Sequence, residues 1–181
     1  MSPPADQVSS AKPGPRMTLE LVVVPVSDVD RAKRFYGALG WRLDIDFADG
    51  QGFRIVQFTP PGSDTSIMFG ESISAAPPGS LQGLHLIVED VVAVREDLRQ
   101  RGVAVSELFH DAGGIFHHVQ PGRLTAGPNP QRKSYASYVS FSDPDGNGWI
   151  IQEVTTRLSG PLPQGDTAFT PQLSDAVGRL P

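Results

Sequence analysis

The sequence predicts an α+β fold made of two copies of one β-α-β-β-β module with mostly antiparallel sheets. Three observations carry this. Apolar and polar residues alternate over short runs bounded by Gly, Pro and Asp, two segments show helical spacing, and both features recur at a constant offset of 62 residues. Val26, Asp28, Val29, Ala32, Tyr36 and Gly40 are matched in role by Val88, Asp90, Val91, Val94, Leu98 and Gly102. Each set supplies a strand end, a helix cap, three inward helix positions and a glycine stop.

Taken in order, residues 1–16 hold four Pro and only two apolar side chains larger than Ala, so a disordered extension is expected, with folding from Met17. Thr18 to Val26 reads as a strand, and Pro25 marks a strand end or an edge. Ser27 with Asp30 forms a weak capping box, and Gly40 stops the helix. Trp41, Leu43, Ile45 and Phe47 alternate with charged residues, which predicts a strand with one buried face. Strands follow at Phe53 to Thr59 and Ser66 to Gly70 and complete the first half, 17–80. The second half, 81–156, repeats the helix and adds strands at Val103 to Leu108, Tyr135 to Phe141 and Gly148 to Val154. Its insertion, 109–134, carries three of the four His and is too long for an ordinary hairpin loop, so a binding loop, a lid or a disordered segment is expected there. Beyond 156 lies a polar tail, in which Leu173, Ala176, Val177 and Leu180 predict a short amphipathic helix over 171–180.

Composition narrows the function. Net charge is −5 with no basic block, which argues against nucleic acid and anionic membranes as partners. No Cys is present, so thiolate catalysis and Cys-liganded zinc are excluded. The longest apolar run, Leu21 to Val26, is far short of the ~20 residues of a membrane span. The opening segment has no signal-like apolar stretch, so a cytoplasmic location is expected.

Three segments resemble the vicinal oxygen chelate superfamily, which includes glyoxalase I, bleomycin resistance proteins and extradiol dioxygenases. They are Val26 to Tyr36 with Leu39-Gly40-Trp41, Val88-Glu89-Asp90-Val91 with Arg101-Gly102-Val103, and Asp143-Pro144-Asp145-Gly146-Asn147. The resemblance covers about residues 18 to 156 and implies a single glyoxalase-like domain over 17–156, with cupped sheets enclosing a small-molecule site, commonly in a homodimer. It also implies four metal-ligand positions, which fall here on Leu21, Met68, Gly83 and Ile150. None can hold a hard or borderline cation, so no metal or other cofactor is expected, and the four become candidate substrate-lining residues.

Strand parity places His85 with Gly83 and Gln152 with Ile150 on the cup face, and turns Glu20 and Glu153 away from it. His85 reads either as a hydrogen-bonded wall residue or as a general acid or base. In the insertion, His110 and His117 could be brought together by Gly113-Gly114, as pocket residues, as solvated loop residues or, with Asp111, as a metal site. Arg132 and Tyr135, where the insertion rejoins the sheet, would suit a carboxylate or phenolate. The sequence-level expectation is a metal-independent lyase or isomerase acting on a small carbonyl or aromatic compound, with His85 and His117 as catalytic residues. Leu21, Met68, Gly83, His110, Arg132, Tyr135, Ile150 and Gln152 would contact substrate. The alternatives are a non-catalytic resistance or sequestering protein holding a small aromatic ligand, and a divalent-metal glyoxalase or dioxygenase.

Overall fold

The computed structural model describes residues 15–111, 124–158 and 166–178. The first module runs β1 (Leu21–Val23), α1 (Val29–Ala38), β2 (Arg42–Ala48), β3 (Arg54–Thr59) and β4 (Ser66–Glu71). The second runs β5 (Leu84–Val88), α2 (Val91–Gln100), β6 (Phe109–Asp111), β7 (Leu124–Ala126), β8 (Ser137–Ser142) and β9 (Gly148–Glu153), and α3 (Pro171–Val177) follows. The sheet orders are β1-β4-β3-β2 and β5-β9-β8-β6-β7. In each module the first strand lies parallel to the last and the other pairings are antiparallel. The modules therefore share one topology, and β7, from the insertion, is an added edge strand.

The repeat is reproduced in atomic detail. Asp28 caps α1 by accepting the Arg31 N–H at 2.9 Å, and Asp90 caps α2 by accepting those of Val92 and Ala93. Such a cap is worth about 1 kcal/mol. Gly40 and Gly102 both sit at φ +78, the left-handed conformation that ends each helix. Ser27, expected in a capping box, instead donates its hydroxyl to Asp145 of the other module.

Several strands differ from expectation. Ladder hydrogen bonds extend β1 only from the Glu20 carbonyl to the Val24 N–H, because Pro25 has no N–H to continue them. Residues 103–108 form no strand: Val105 makes a single bridge to Phe141, the Arg95 guanidinium takes the Ser106 carbonyl, and the Ser106 hydroxyl accepts the Ser140 N–H. In β2 a register shift between Leu43 and Ile45 puts Leu43 opposite Phe58, while Ile45 and Phe47 share the face of Gln57 and Ile55. The expected buried face of β2 is exposed within one chain, Ile45 at 39% and Phe47 at 53%. The C-terminal helix is described over Pro171–Val177, and of the three stripe residues among the described ones Leu173 is fully buried, while Leu180 lies outside the described residues. Phe169 and the Thr170 cap supply the rest of that contact, with the Ser134 N–H donating to the Ala168 carbonyl at 2.8 Å. The expected N-terminal disorder falls mainly on residues outside the described set, as does the middle of the insertion.

One core serves both modules. Tyr36 of α1, fully buried, packs its ring 5.3 Å from Trp41, 5.4 Å from Phe69 and 6.1 Å from Trp149 of β9. Its hydroxyl donates to Asp143 at 2.9 Å and accepts from the Trp149 indole at 3.3 Å. Burial pushes this phenol well above its ordinary pKa. The turn at 143–147 ties the modules further, since the Asn147 side chain donates to the Pro25 carbonyl and to Asp143. Both sheets thus turn their helix-packed faces toward the shared core. Their other faces point away from it. Among the described residues no helix is long and apolar enough to cross a membrane.

Candidate functional site

The outward face of the second sheet carries a cleft of about 690 Å³. Strand pairing explains what lines it. Ile150 lies opposite His85 and Ser140, Gly148 opposite Ser142, and Tyr138 opposite both Phe109 and Gln152, which puts all of these on one face. Ser140, Ser142, Gly148, Ile150, Gly83 and Phe109 all border the cleft, with Gln82 at its rim. Phe109 forms an aromatic wall, stacked on Tyr138 at 5.6 Å. Gly83, at φ +77, and Gly148 keep the floor low: a Cβ at Gly148 would lie 2.2 Å from the Gln82 carboxamide oxygen. That carboxamide is held by its Nε2, which donates to the Gly79 and Gly146 carbonyls. The described lining residues include no ionisable side chain.

Of the residues singled out in the sequence, Gly83 and Ile150 meet in this cleft, and His85 and Gln152 lie farther along the same face. Leu21 and Met68 lie on the first sheet, on the face turned from the shared core, so within one chain they do not converge with Gly83 and Ile150. His110 alternates with Phe109 and points to the opposite face, where its Nδ1 is 2.9 Å from the Gly127 carbonyl oxygen. His117 lies outside the described residues.

Arg132 turns to the helix side of the sheet. Its Nε donates to Glu153 at 2.8 Å, and its Nη2 donates to Glu153 and Asp90. Glu153 is fully buried and also accepts the Val91 N–H, so it serves the start of α2. These two carboxylates raise the Arg132 pKa and keep the guanidinium charged. Tyr135 contributes through its backbone: its carbonyl accepts from Tyr138 at 2.5 Å and Gln152 at 2.9 Å, while its ring stacks on Phe169. Burial, with Asp111 adding to it, raises the Tyr138 phenol.

Sequence reasoning missed Phe109, Ser140, Ser142, Gln82 and Gly148 as lining residues. Ser140, Ser142 and Gly148 were within reach of parity, since β8 and β9 are joined by a tight turn and counting back from Ile150 identifies the partners. Phe109 had no such signal, because its pairing depends on the irregular stretch at 103–108.

The metal implied by related folds does not fit. The four sheet positions carry Leu21, Met68, Gly83 and Ile150, none of which offers a nitrogen or oxygen side-chain donor. Among the described residues no group of three or more His, Asp or Glu could hold an ion.

Known structures agree with this architecture. TnmS3, an antibiotic binding protein from Streptomyces sp. CB03234, is 34% identical over 76% of this chain and 95% of its own, with a TM-score of 0.55. A glyoxalase/bleomycin resistance protein from the same organism is 34% identical over 75% and 99%, with a TM-score of 0.54. A superfamily member from Sphaerobacter thermophilus DSM 20745 is 25% identical over 76% and 97%, at 0.55. None of the curated proteins matches. The sequence profile that matches residues 18–151 makes the assignment direct: this chain belongs to the Glyoxalase/Bleomycin resistance protein/Dioxygenase superfamily.

Proposed function

We propose that this protein binds and holds a small aromatic molecule, without transforming it, in the cleft on the β8–β9 face. The observation that carries the reading is the cleft's composition: an aromatic wall, a glycine floor, and amide and hydroxyl groups. Proton transfer and nucleophilic chemistry need a titratable or nucleophilic group placed at the reacting atom. The described lining offers only two seryl hydroxyls, and neither has a base hydrogen-bonded to it. A relative at 34% identity is an antibiotic binding protein, which supports a small-molecule ligand. The lyase or isomerase reading keeps one observation in its favour, the place of His85 on the same sheet face.

The partner in this reading is a second copy. Ile45, Phe47 and Val23 of the first sheet are exposed apolar residues on the face turned from the core, and Leu21 and Met68 beside them are half-buried. Laid over the cleft of another copy, this face would close it and bury both surfaces. The test is calorimetric titration with uncharged polycyclic aromatics, read in parallel by Trp149 fluorescence, with mass spectrometry of the recovered ligand. Saturable binding with unchanged ligand, weakened at least about tenfold by the cleft-filling Ser140→Phe, is expected. Conversion of ligand that His85→Ala abolishes would establish catalysis instead. Sedimentation equilibrium should give a dimer that Phe47→Asp dissociates, and a monomeric wild type would refute the closure.

A further inference from the structure

We infer that the carboxamide oxygen of Gln152 is a fixed hydrogen-bond acceptor that selects ligands carrying an O–H or N–H group. This rests on the binding reading above and adds the chemistry of the atom recognised. Gln152 lies two residues beyond Ile150 on the same face of β9, roughly 7 Å farther along the strand. It is only 3% exposed.

Its orientation is determined by its neighbours. Nε2 donates to the Tyr135 carbonyl at 2.9 Å and to the Tyr138 phenol oxygen at 3.1 Å. The Tyr138 hydroxyl donates to that same carbonyl at 2.5 Å. A backbone carbonyl can only accept, so the nitrogen must face it, and both amide hydrogens are then used. Oε1 is left without a hydrogen bond to any described residue. It cannot rotate to find one without giving up the two that Nε2 makes.

The backbone that imposes this is itself unusual. Tyr135, at φ +67, and Arg132, at φ +49, are non-glycine residues in the left-handed region. They are held there by the Arg132–Glu153 ion pair, by the Ser134 N–H on the Ala168 carbonyl and by the Tyr135 ring on Phe169. Conformations of this kind persist where surrounding structure over-determines them, and they cluster at binding and catalytic sites. Here the outcome is a carbonyl aimed at the Gln152 carboxamide.

A nearly buried acceptor with a fixed direction rewards a partner that brings its own hydrogen, and an acceptor-only group placed against it gains nothing. The matching ligand is an aromatic alcohol, phenol or amide. A carboxylate or ether at the same place would set oxygen against oxygen.

The probes are 1-pyrenemethanol and its methyl ether, which share a ring system and differ in one donor, titrated into wild type and Gln152→Leu. The alcohol should bind wild type about tenfold more tightly than the ether, the scale of one buried hydrogen bond. Gln152→Leu should bring the two ligands to within about twofold of each other. Tyr135 keeps the Tyr138 donor in that variant, and circular dichroism checks its fold. Equal, measurable binding of alcohol and ether to wild type overturns the role of Gln152 and leaves the binding reading standing. Discrimination that survives in Gln152→Leu overturns it as well. Failure of both probes to bind overturns the binding reading and this inference together. If Gln152→Leu does not fold, the wild-type comparison alone decides.

Discussion

Tyr36→Phe separates the packing of the shared core from its polar latch. Phe preserves the ring and therefore the contacts at 5.3 Å to Trp41 and 5.4 Å to Phe69. What disappears is one hydroxyl, which donates to Asp143 at 2.9 Å and accepts from the Trp149 indole at 3.3 Å. A hydrogen bond to a charged group is worth about 1.5–3 kcal/mol, and leaving a buried donor such as the Trp149 N–H unpaired costs a further ~1–3 kcal/mol. Two terms reduce the total. Asp143 Oδ2 keeps the Asn147 Nδ2 donor at 2.7 Å, and the buried phenol no longer has to be desolvated. The expected net loss is about 2–4 kcal/mol, which for a chain of this size lowers Tm by very roughly 5–15 °C. Urea unfolding followed by tryptophan fluorescence measures it, at one fixed protein concentration because association would contribute to stability. A loss under about 0.5 kcal/mol would refute the assignment of the hydroxyl as a link between modules. An unchanged m value is expected as well, since the latch joins two halves of a single cooperative core.

Two further predictions probe charged groups. Glu153→Ala removes a buried partner of the half-exposed Arg132 guanidinium, which keeps Asp90, and leaves the Val91 N–H without its side-chain acceptor, so a loss of about 1–3 kcal/mol is expected in the same assay, whereas Arg132→Lys should keep part of the pairing. Asp46 is held down to about 2, against 3.8 for an ordinary Asp, first by the Arg54 guanidinium and then by Lys33. Because the folded value lies below the unfolded one, its stabilisation is complete above about pH 4 and is lost as pH falls through 2. Asp46→Asn should flatten the pH dependence of Tm over that window. Because the pair is near the surface, the effect stays below about 1 kcal/mol and shrinks with added salt.

The fold was legible because its determinants are local. Asp28 and Asp90 cap by reaching their own helix termini, Gly40 and Gly102 take a conformation other residues avoid, and the 62-residue offset multiplies each signal by two. The candidate site was legible only where parity reaches. From Ile150, alternation finds Gln152, and pairing across the parallel edge finds His85. It also put Glu153 on the opposite face, where the structure buries it at the α2 terminus. Parity fails at an irregular backbone. Arg132 and Tyr135 sit in a turn with two left-handed residues, so a pattern that suggested a cationic and phenolic ligand site instead supplies an ion pair between a half-exposed guanidinium and a buried carboxylate, and an aimed carbonyl. The first module shows a different limit. Apolar alternation in β2 reads as a buried face, and alternation cannot say whether the cover belongs to the same chain.

That division between faces explains why the fold is compatible with side chains that offer no metal donor at all four of the sheet positions where related folds imply one. The core uses the helix-packed sides of both sheets, with Val56, Phe58, Ile67 and Phe69 on one and Val139, Phe141, Trp149 and Ile151 on the other. Leu21, Met68, Gly83 and Ile150 sit on the faces turned away from it, among side chains outside the core cluster. Exchanging donors for apolar residues there leaves no cavity in the core and no unpaired charge, the two mechanisms that make substitutions severely destabilising. It does change what the outward face attracts. With Leu, Met, Gly and Ile at these positions the outward faces offer apolar surface, an aromatic wall and amide and hydroxyl groups, and in the proposed binding role selectivity would depend on shape and hydrogen-bond polarity.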